Sequence, residues 1–407
     1  MSIFDASKSK RSVLIKNRNI LQTTYIPDQL PHRESEISGI VGIITPALYK
    51  NKPSNILVTG KTGTGKTAVL NYIGKELKKE DPEEKNCCFT YVNCEIVDNT
   101  YGILFNISNQ IITDQNNKIP FTGWSLDRVY DTMINYIDQG NKIFIIVLDE
   151  IDRILQKGDD IFYFLTSMNE VLKQSKVSII GITNNTVFTE LLTPKIKSRL
   201  GEEKIVFPPY GAEQLQNILK KRAELAFEPG VIEEAVIPYC AALSAQDSGD
   251  ARRALDLLRV SAEVAERHGD TSVTEAHVMF ARNQIEMDAV KEVIETLPAQ
   301  SKIVLRSIIE IHERNDNVVT TGYVYSVYKE ICNMLNVNTL KEKMVANIIS
   351  ELDMLGIIHA RVKSFGRNGR TREIELNISK DIIDFTKKDE LFEPLSKQKS
   401  AKQTKLL

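Results

Sequence analysis

The run Gly60-Lys61-Thr62-Gly63-Thr64-Gly65-Lys66-Thr67 stands between an apolar stretch, Ile56–Val58, and a helical pattern that opens at Ala68 and continues to Leu77. Nothing else in the chain narrows its fold so far. Three glycines in eight residues let successive backbone N–H groups curl around an anion without Cβ clashes, and the start of a helix adds positive potential at the same point. Strand, glycine-rich loop closed by Lys-Thr, then helix is the P-loop arrangement. In it residues Gly60 to Ala68 cradle the phosphates, Lys66 reaches the β- and γ-phosphates, and the Thr67 hydroxyl ligates Mg²⁺.

The surrounding sequence supplies a sheet to carry that loop. Short apolar runs, Ile56–Val58, Phe89–Val92, Ile143–Leu148 and Val177–Ile182, alternate with helical patterns. Strands apolar on both faces belong to parallel sheets covered on both sides. The third run ends in Asp149-Glu150. Two acids at the mouth of an apolar strand are costly to desolvate unless they meet a cation and solvent. Beside a P-loop, Asp149 is assigned to the Mg²⁺ shell, and Glu150 to orienting and deprotonating the attacking water. The fourth run leads into Thr183-Asn184-Asn185, where a polar tip either positions water beside the γ-phosphate or is plain turn chemistry.

A chain of 407 residues exceeds one ordinary core, so two or three domains are expected. Pro208-Pro209 ends the strand–helix alternation, and the patterns Ala212–Leu225, Val231–Leu243, Ala251–Arg267 and Glu275–Val290 predict an all-helical second domain. Within it Gly249-Asp250-Ala251-Arg252-Arg253 opens a helix with two cations in its first turn. Cations there oppose the helix dipole, so Arg252 meets either a phosphate or an exposed ion pair. From Leu297-Pro298 onward, helices Gln300–Arg314, Thr321–Leu335 and Thr339–Leu355 precede strand patterns Ile357–Ser364 and Thr371–Leu376, the element order of a winged helix. The expected boundaries are a basic arm at 1–20, a core at 21–208, a helical lid at 209–288, a winged helix at 289–392 and a disordered tail at 393–407.

Bulk charge excludes little. Lys and Arg total 52 against 54 Asp and Glu, a net charge of −2, so any nucleic-acid surface has to be local. Lys8, Lys10, Arg11, Lys16 and Arg18 face only Asp5 at the N-terminus, a pattern of a solvated arm or of a binding arm. Five scattered cysteines without CxxC or zinc spacing read as reduced thiols. With no apolar signal core and no run of eighteen apolar residues, a cytosolic protein is expected.

At the C-terminal end Thr339–Leu355 carries an apolar stripe of Leu340, Met344, Val345, Ile348, Ile349, Leu352 and Leu355. Lys341, Lys343, Asn347 and Ser350 fall on its other faces, where they reach a groove or simply meet solvent. The following segment carries Arg361, Lys363, Arg367, Arg370 and Arg372 with no acid between them, and Gly366 and Gly369 bracket Arg367-Asn368. A cationic hairpin tip of this kind suits a DNA groove edge.

Taken together, these motifs resemble the AAA+ class of P-loop ATPases. The strings Tyr25-Ile26-Pro27-Asp28-Gln29-Leu30-Pro31-His32-Arg33-Glu34, Gly60–Thr67, Leu200-Gly201-Glu202-Glu203 running to Pro209-Tyr210, and Gly249-Asp250-Ala251-Arg252-Arg253 are similar more narrowly to the archaeal origin-recognition initiators, over about residues 11–385. These are relatives of the largest eukaryotic origin-recognition subunit and of its helicase-loading partner. The resemblance implies an α/β AAA+ core with a parallel sheet, a helical lid and a C-terminal winged helix. It makes Asn184 sensor 1 and Arg252 sensor 2, and puts Arg199 where relatives carry an arginine finger. It implies that Tyr25, Ile26, Arg33, Tyr210, Ile218 and Arg222 surround the base, and that an insertion within Asp98–Tyr136 contacts DNA. The implied function is initiation of replication at double-stranded origin DNA, in the cytoplasm and associated with the nucleoid. ATP/ADP and Mg²⁺ are the implied ligands, and the replicative helicase and further initiator copies are implied partners. ATP acts as a slowly hydrolysed switch. The rival reading is a DNA-binding regulator holding a trapped structural ADP. A clamp-loader or transcriptional ATPase comes third, and the fused basic winged helix argues against the clamp loader.

Overall fold

The computed structural model describes residues 14–395, apart from 98, 115–116, 156–159, 186, 315–318 and 365–369. Two compact units, Met1–Met279 and Phe280–Leu407, make up the chain.

In the first unit, strands β1 (Ile56–Thr59), β2 (Cys87–Asn93), β3 (Ile143–Asp149), β4 (Lys176–Thr183) and β5 (Glu203–Val206) form one sheet in the order β2-β3-β4-β1-β5. Every neighbouring pair is parallel. β3 shows why such strands read as unbroken apolar runs. Its residues Ile143, Ile145 and Val147 join a core with helices α1 (Glu34–Ile44) and α2 (Lys66–Glu80). The alternating Phe144, Ile146 and Leu148 join a second core filled by α3 (Thr100–Ile111) and α4 (Leu126–Gln139). Burial on both faces removes the polar half of the alternation. β5 escaped the apolar pattern because it lies at the sheet edge, where Glu203 and Lys204 are exposed. Short helices α5 (Asp152–Leu155), α6 (Asp160–Val171), α7 (Phe188–Leu191) and α8 (Pro194–Leu200) complete the core.

The lid contains α9 (Ala212–Ala226), α10 (Val236–Asp247), α11 (Ala251–His268) and the start of α12 (Glu275–Thr296), whose Ile294 belongs to the core of the second unit. α10 starts five residues later than expected, because Ile232 is drawn into a bridge with Val273. α12 runs to Thr296, so one continuous helix crosses the expected break at 288/289. The solvated arm needs correction over its described part. Leu14, Ile15, Ile20 and Leu21 are buried, and the Glu266 carboxylate accepts the N–H groups of Leu14 (2.9 Å) and Ile15 (3.1 Å). Four apolar residues near one another give this segment enough surface to pack, while Lys16 and Arg18 pair with lid acids. Lys8, Lys10 and Arg11 lie outside the described residues.

The second unit holds α13 (Ala299–Glu313), α14 (Thr321–Met334), α15 (Glu342–Met354), the antiparallel hairpin β6 (Ile358–Ser364) and β7 (Arg370–Leu376), and α16 (Lys380–Lys387). α15 buries Val345, Ile348, Ile349 and Leu352, an i, i+3, i+4, i+7 row. Met344 and Leu355 stand off that row and are exposed, against the expected stripe. The helix begins at Glu342 because Lys341 is an extended N-cap. The expected tail is corrected at its start, since Leu395 is buried in the same core as Phe392. Among the described residues no helix is long and apolar enough to cross a membrane.

Candidate nucleotide and DNA sites

The loop between β1 and α2 owes its shape to two left-handed glycines, Gly63 at φ +69° and Gly65 at φ +91°. Neighbours also exclude a side chain at each. A Cβ on Gly63 would fall 1.7 Å from Asp250 Oδ1, and one on Gly65 2.8 Å from the Tyr210 hydroxyl. Asp250 is the N-cap of α11 and accepts the N–H groups of Arg252 (2.7 Å) and Arg253 (3.3 Å). The Ala251 N–H donates to the Gly63 carbonyl at 3.2 Å, so the first turn of α11 is docked on the loop. Lys61 and Thr62 are exposed, while buried Thr64 braces the loop through its hydroxyl on the Lys61 carbonyl, 2.9 Å. The first N–H groups of α2 have no intrahelical acceptors, as anion cradles at helix starts require.

Lys66 Nζ donates to the carbonyls of Gly60 (2.7 Å) and Lys61 (2.7 Å) and to Asn184 Oδ1 (2.6 Å). Burial pushes its ammonium down to about 8, opposed by the attraction of Asp149 and Glu150. Asn184 Nδ2 in turn donates to both carboxylate oxygens of Glu150, at 2.7 and 2.6 Å. One amide therefore bridges the loop lysine and the strand-end acid. The neighbouring Asn185 does the turn chemistry, accepting the Val187 N–H at 3.0 Å. Glu150 has φ +57°, a costly conformation for a residue with a side chain and a frequent mark of functional sites. Burial raises its carboxyl above the ordinary range, the Asn184 bonds lower it, and Asp149 adds to the rise.

Asp149 is buried at the end of β3. Its Oδ1 accepts the Glu150 N–H (2.9 Å), and its Oδ2 accepts the hydroxyls of Thr67 (2.6 Å) and Tyr91 (2.6 Å). A hydroxyl and a carboxylate meeting beside the loop are hard oxygen donors of the kind Mg²⁺ takes alongside phosphates. The residues present fit a magnesium nucleotide.

A cavity of about 780 Å³ opens next to the loop. Tyr25, Ile26, Tyr210, Ile218 and Arg222 are among its walls, together with Gly63, Gly65, Thr67, Ala68 and Arg252. Arg222 lies 4.5 Å from the Tyr25 ring centroid and donates to the carbonyls of Ile20 (3.0 Å) and Tyr25 (3.1 Å), which fastens the N-terminal segment over the cavity. Arg33 needs correction, because it is not one of the walls. It is almost fully buried, with Nε on the Thr64 carbonyl (2.8 Å), Nη2 on the Pro208 carbonyl (2.6 Å), and its guanidinium 3.8 Å from the Tyr210 ring centroid. Those partners make it a brace behind the loop. Arg252 makes no side-chain ion pair among the described residues, whereas Arg253 pairs with Asp247 at 3.8 Å. Arg199 is not a cavity wall either. Its guanidinium is bonded to the Thr166 carbonyl (3.2 Å), to Ser167 Oγ (3.3 Å) and to Glu170.

In the second unit the N-cap Lys341 and, on α15, Lys343 and Asn347 are exposed, with Lys343 and Asn347 one turn apart on one side. Arg361 is exposed on β6 and stands opposite Glu373 in the hairpin register. Arg372 departs from the expectation of a presented cation. It donates to Ser350 Oγ (2.5 Å) and to the Ala346 carbonyl (3.4 Å), tying the hairpin to α15. Arg367 and Asn368 lie outside the described residues, as do the side chains of Lys363 and Arg370. The segment Asp98–Tyr136, where an insertion is expected, takes in α3 and most of α4. It carries Arg128 stacked 4.0 Å from the Trp124 ring centroid and a largely exposed Phe121 set edge-on to Phe105.

Sequence reasoning missed Tyr91 and the loop-contacting role of Asp250. An Asp directly before a helix is an N-cap signal, so Asp250 was findable as a cap. Tyr91 needed the register of β2 against β3, which sets Asn93 opposite Asp149.

Three domain families match the chain. They are described as an AAA domain over residues 50–187, a Cdc6 AAA+ ATPase-type lid domain over 216–283, and a CDC6 C terminal winged helix domain over 292–386. The chain is 49% identical over 376 residues to the ORC1-type DNA replication protein of Pyrococcus abyssi, covering 91% of this chain and 89% of the relative. It is 45% identical to the ORC1-type DNA replication protein of Thermococcus kodakarensis, over 100% and 98% of the two. The structure of the Aeropyrum pernix ORC1 protein in complex with DNA is similar to it with a TM-score of 0.77 at 42% identity, covering 94% of this chain and 99% of that one.

Proposed function

Since the chain belongs to the ORC1-type DNA replication proteins, we propose that it is an ATP-dependent initiator that binds double-stranded origin DNA and helps recruit the replicative helicase. The observation that carries the ATP part is the Lys66–Asn184–Glu150 bridge. It joins the group that contacts phosphate to the group that activates water.

Each residue has a separate task in this reading. The loop N–H groups and Lys66 bind and orient the phosphates. Thr67 and Asp149 hold the magnesium ion, which neutralises charge developing on the phosphate oxygens. Glu150, its carboxyl raised by burial, accepts the proton of the attacking water. Asn184 fixes that carboxylate, and Arg252 brings lid charge to the same cavity. Arg199, anchored away from the chain's own cavity, serves another initiator copy on DNA. Duplex DNA is held by Lys341, Lys343 and Asn347 of α15, by the hairpin cations Arg361, Lys363, Arg367 and Arg370, and by the α3–α4 insertion. The protein works in the cytoplasm, at the nucleoid.

The test is footprinting of the full chain on genomic fragments with ATP, with ADP and with neither, alongside single-turnover hydrolysis. A nucleotide-dependent footprint and slow hydrolysis are expected. Identical footprints in all three conditions would sink the switch. A second reading, in which ADP is trapped as a structural ligand, is favoured by the segment that Arg222 fastens over the cavity. Nucleotide that fails to exchange in purified protein selects it.

A further inference from the structure

We propose that Tyr91 is a positioning residue for the metal-binding carboxylate of Asp149, and that Gln110 makes its placement depend on helix α3. The inference deepens the ATPase reading and rests on it.

β2 is an edge strand, and an edge leaves backbone N–H and C=O groups without a strand partner. At Tyr91 both groups are taken by one side chain. Gln110 Nε2 donates to the Tyr91 carbonyl at 2.9 Å, and the Tyr91 N–H donates to Gln110 Oε1 at 3.2 Å. A single amide from α3 thus imitates a neighbouring strand at this one residue. On the inner side, the parallel register pairs Tyr91 with Val147 and Asn93 with Asp149. Residues two apart share a sheet face, so a long side chain at 91 extends toward the end of β3. Its hydroxyl arrives 2.6 Å from Asp149 Oδ2.

Asp149 is only 3% exposed, so water does not set the plane of its carboxylate. Oδ1 is tied to the Glu150 N–H, and Oδ2 receives Thr67 and Tyr91. Thr67 is itself assigned to the ion. Tyr91 is therefore the anchor on Oδ2 that has no metal duty of its own. Partners of metal ligands commonly change metal affinity when removed. Gln110 belongs to the insertion, so whatever displaces α3 also loosens the backbone from which Tyr91 reaches.

The experiment measures ADP affinity of the full chain in EDTA and in Mg²⁺, and Mn²⁺ binding to the ADP complex by electron paramagnetic resonance. Melting temperatures control for folding. Tyr91→Phe keeps the ring and removes the donor. The expected result is an unchanged affinity in EDTA with Mn²⁺ bound about tenfold more weakly. Gln110→Ala is expected to shift the same quantity in the same direction by a smaller factor. If the wild type depends on the divalent ion and Tyr91→Phe matches it, the proposal fails alone. An equal loss in EDTA and in Mg²⁺ marks a merely structural tyrosine and overturns it too. Gln110→Ala matching the wild type removes α3 from the arrangement. A wild type whose ADP affinity ignores the divalent ion overturns the ATPase reading, and this inference with it.

Discussion

The nucleotide site and the winged helix handle charge in opposite ways. Around the P-loop, Lys66, Asp149, Glu150 and Asn184 are committed to one another within hydrogen-bonding distance, and Lys66 and Asp149 are buried. On the winged helix Lys341, Lys343, Asn347 and Arg361 are exposed. A buried set gains strength from low dielectric but tolerates no missing member. An exposed set acts through summed, salt-screened charge, so its members substitute for one another. The two regions should therefore differ in how steeply they respond to single changes.

The largest effect is expected at Glu150. Glu150→Gln should retain ATP and lower the single-turnover rate by about a hundred- to ten-thousand-fold, the range of general base catalysis. Hydrolysis at the wild-type rate would remove the base from Glu150 and break the contrast at its strongest point.

Next comes pH. The protonated form of Lys66 is the one that attracts phosphate, and a bound anion raises its pKa above the free value of about 8. Below pH 8 the lysine is charged before and after binding, so ADP affinity should be flat. Above pH 8 binding requires uptake of a proton, and affinity should fall by about tenfold per pH unit until the bound-state pKa is reached. Calorimetry between pH 7 and 9.5 checks this. Lys66→Ala should bind more weakly and lose that pH dependence.

The winged helix should respond more gently. Removing Arg367 and Arg370 together should flatten the slope of log K against log salt by about two units, at about 0.9 for each phosphate contact, and weaken all duplexes nearly alike. Arg372→Ala tests the exception. Its guanidinium is spent on Ser350 and Ala346, so it should lower the melting temperature and leave the salt slope alone. An unchanged slope for the double variant with collapsed sequence discrimination would show base-reading arginines instead.

The smallest effect compares two helix N-caps. Asp250 caps α11 at the P-loop, and Thr320 caps α14 through the Tyr323 N–H at 3.3 Å. Alanine at either should cost about 1 kcal/mol of stability. Only Asp250→Ala should also change ADP affinity, because only that cap touches the loop. Equal behaviour in ADP titrations would mean that the lid contact is incidental.

Much of this molecule is legible in its sequence alone. The P-loop, the apolar strands and the strand-end acids are local signals, because a chain that curls around phosphate or crosses a covered sheet is restricted residue by residue. The parallel-sheet core, the all-helical second domain and the winged helix followed from the order of such signals, and the AAA+ assignment from the resemblance of their motifs. Other features were set by partners distant in sequence. β5 is a strand only because β1 lies beside it. Leu14 and Ile15 are held by partners far along the chain, the Glu266 carboxylate, some 250 positions away, accepting their N–H groups and Phe227 bridging to Ile15. The same holds for side chains of ambiguous type. Arg33, Arg222, Arg252 and Arg372 are alike in sequence, yet one braces the loop, one fastens a segment over the cavity, one is part of the cavity wall, and one ties a hairpin to a helix. Sequence determines that an arginine carries a long cationic donor. Which acceptors lie within reach of that donor depends on how separate segments pack, and that is decided in three dimensions.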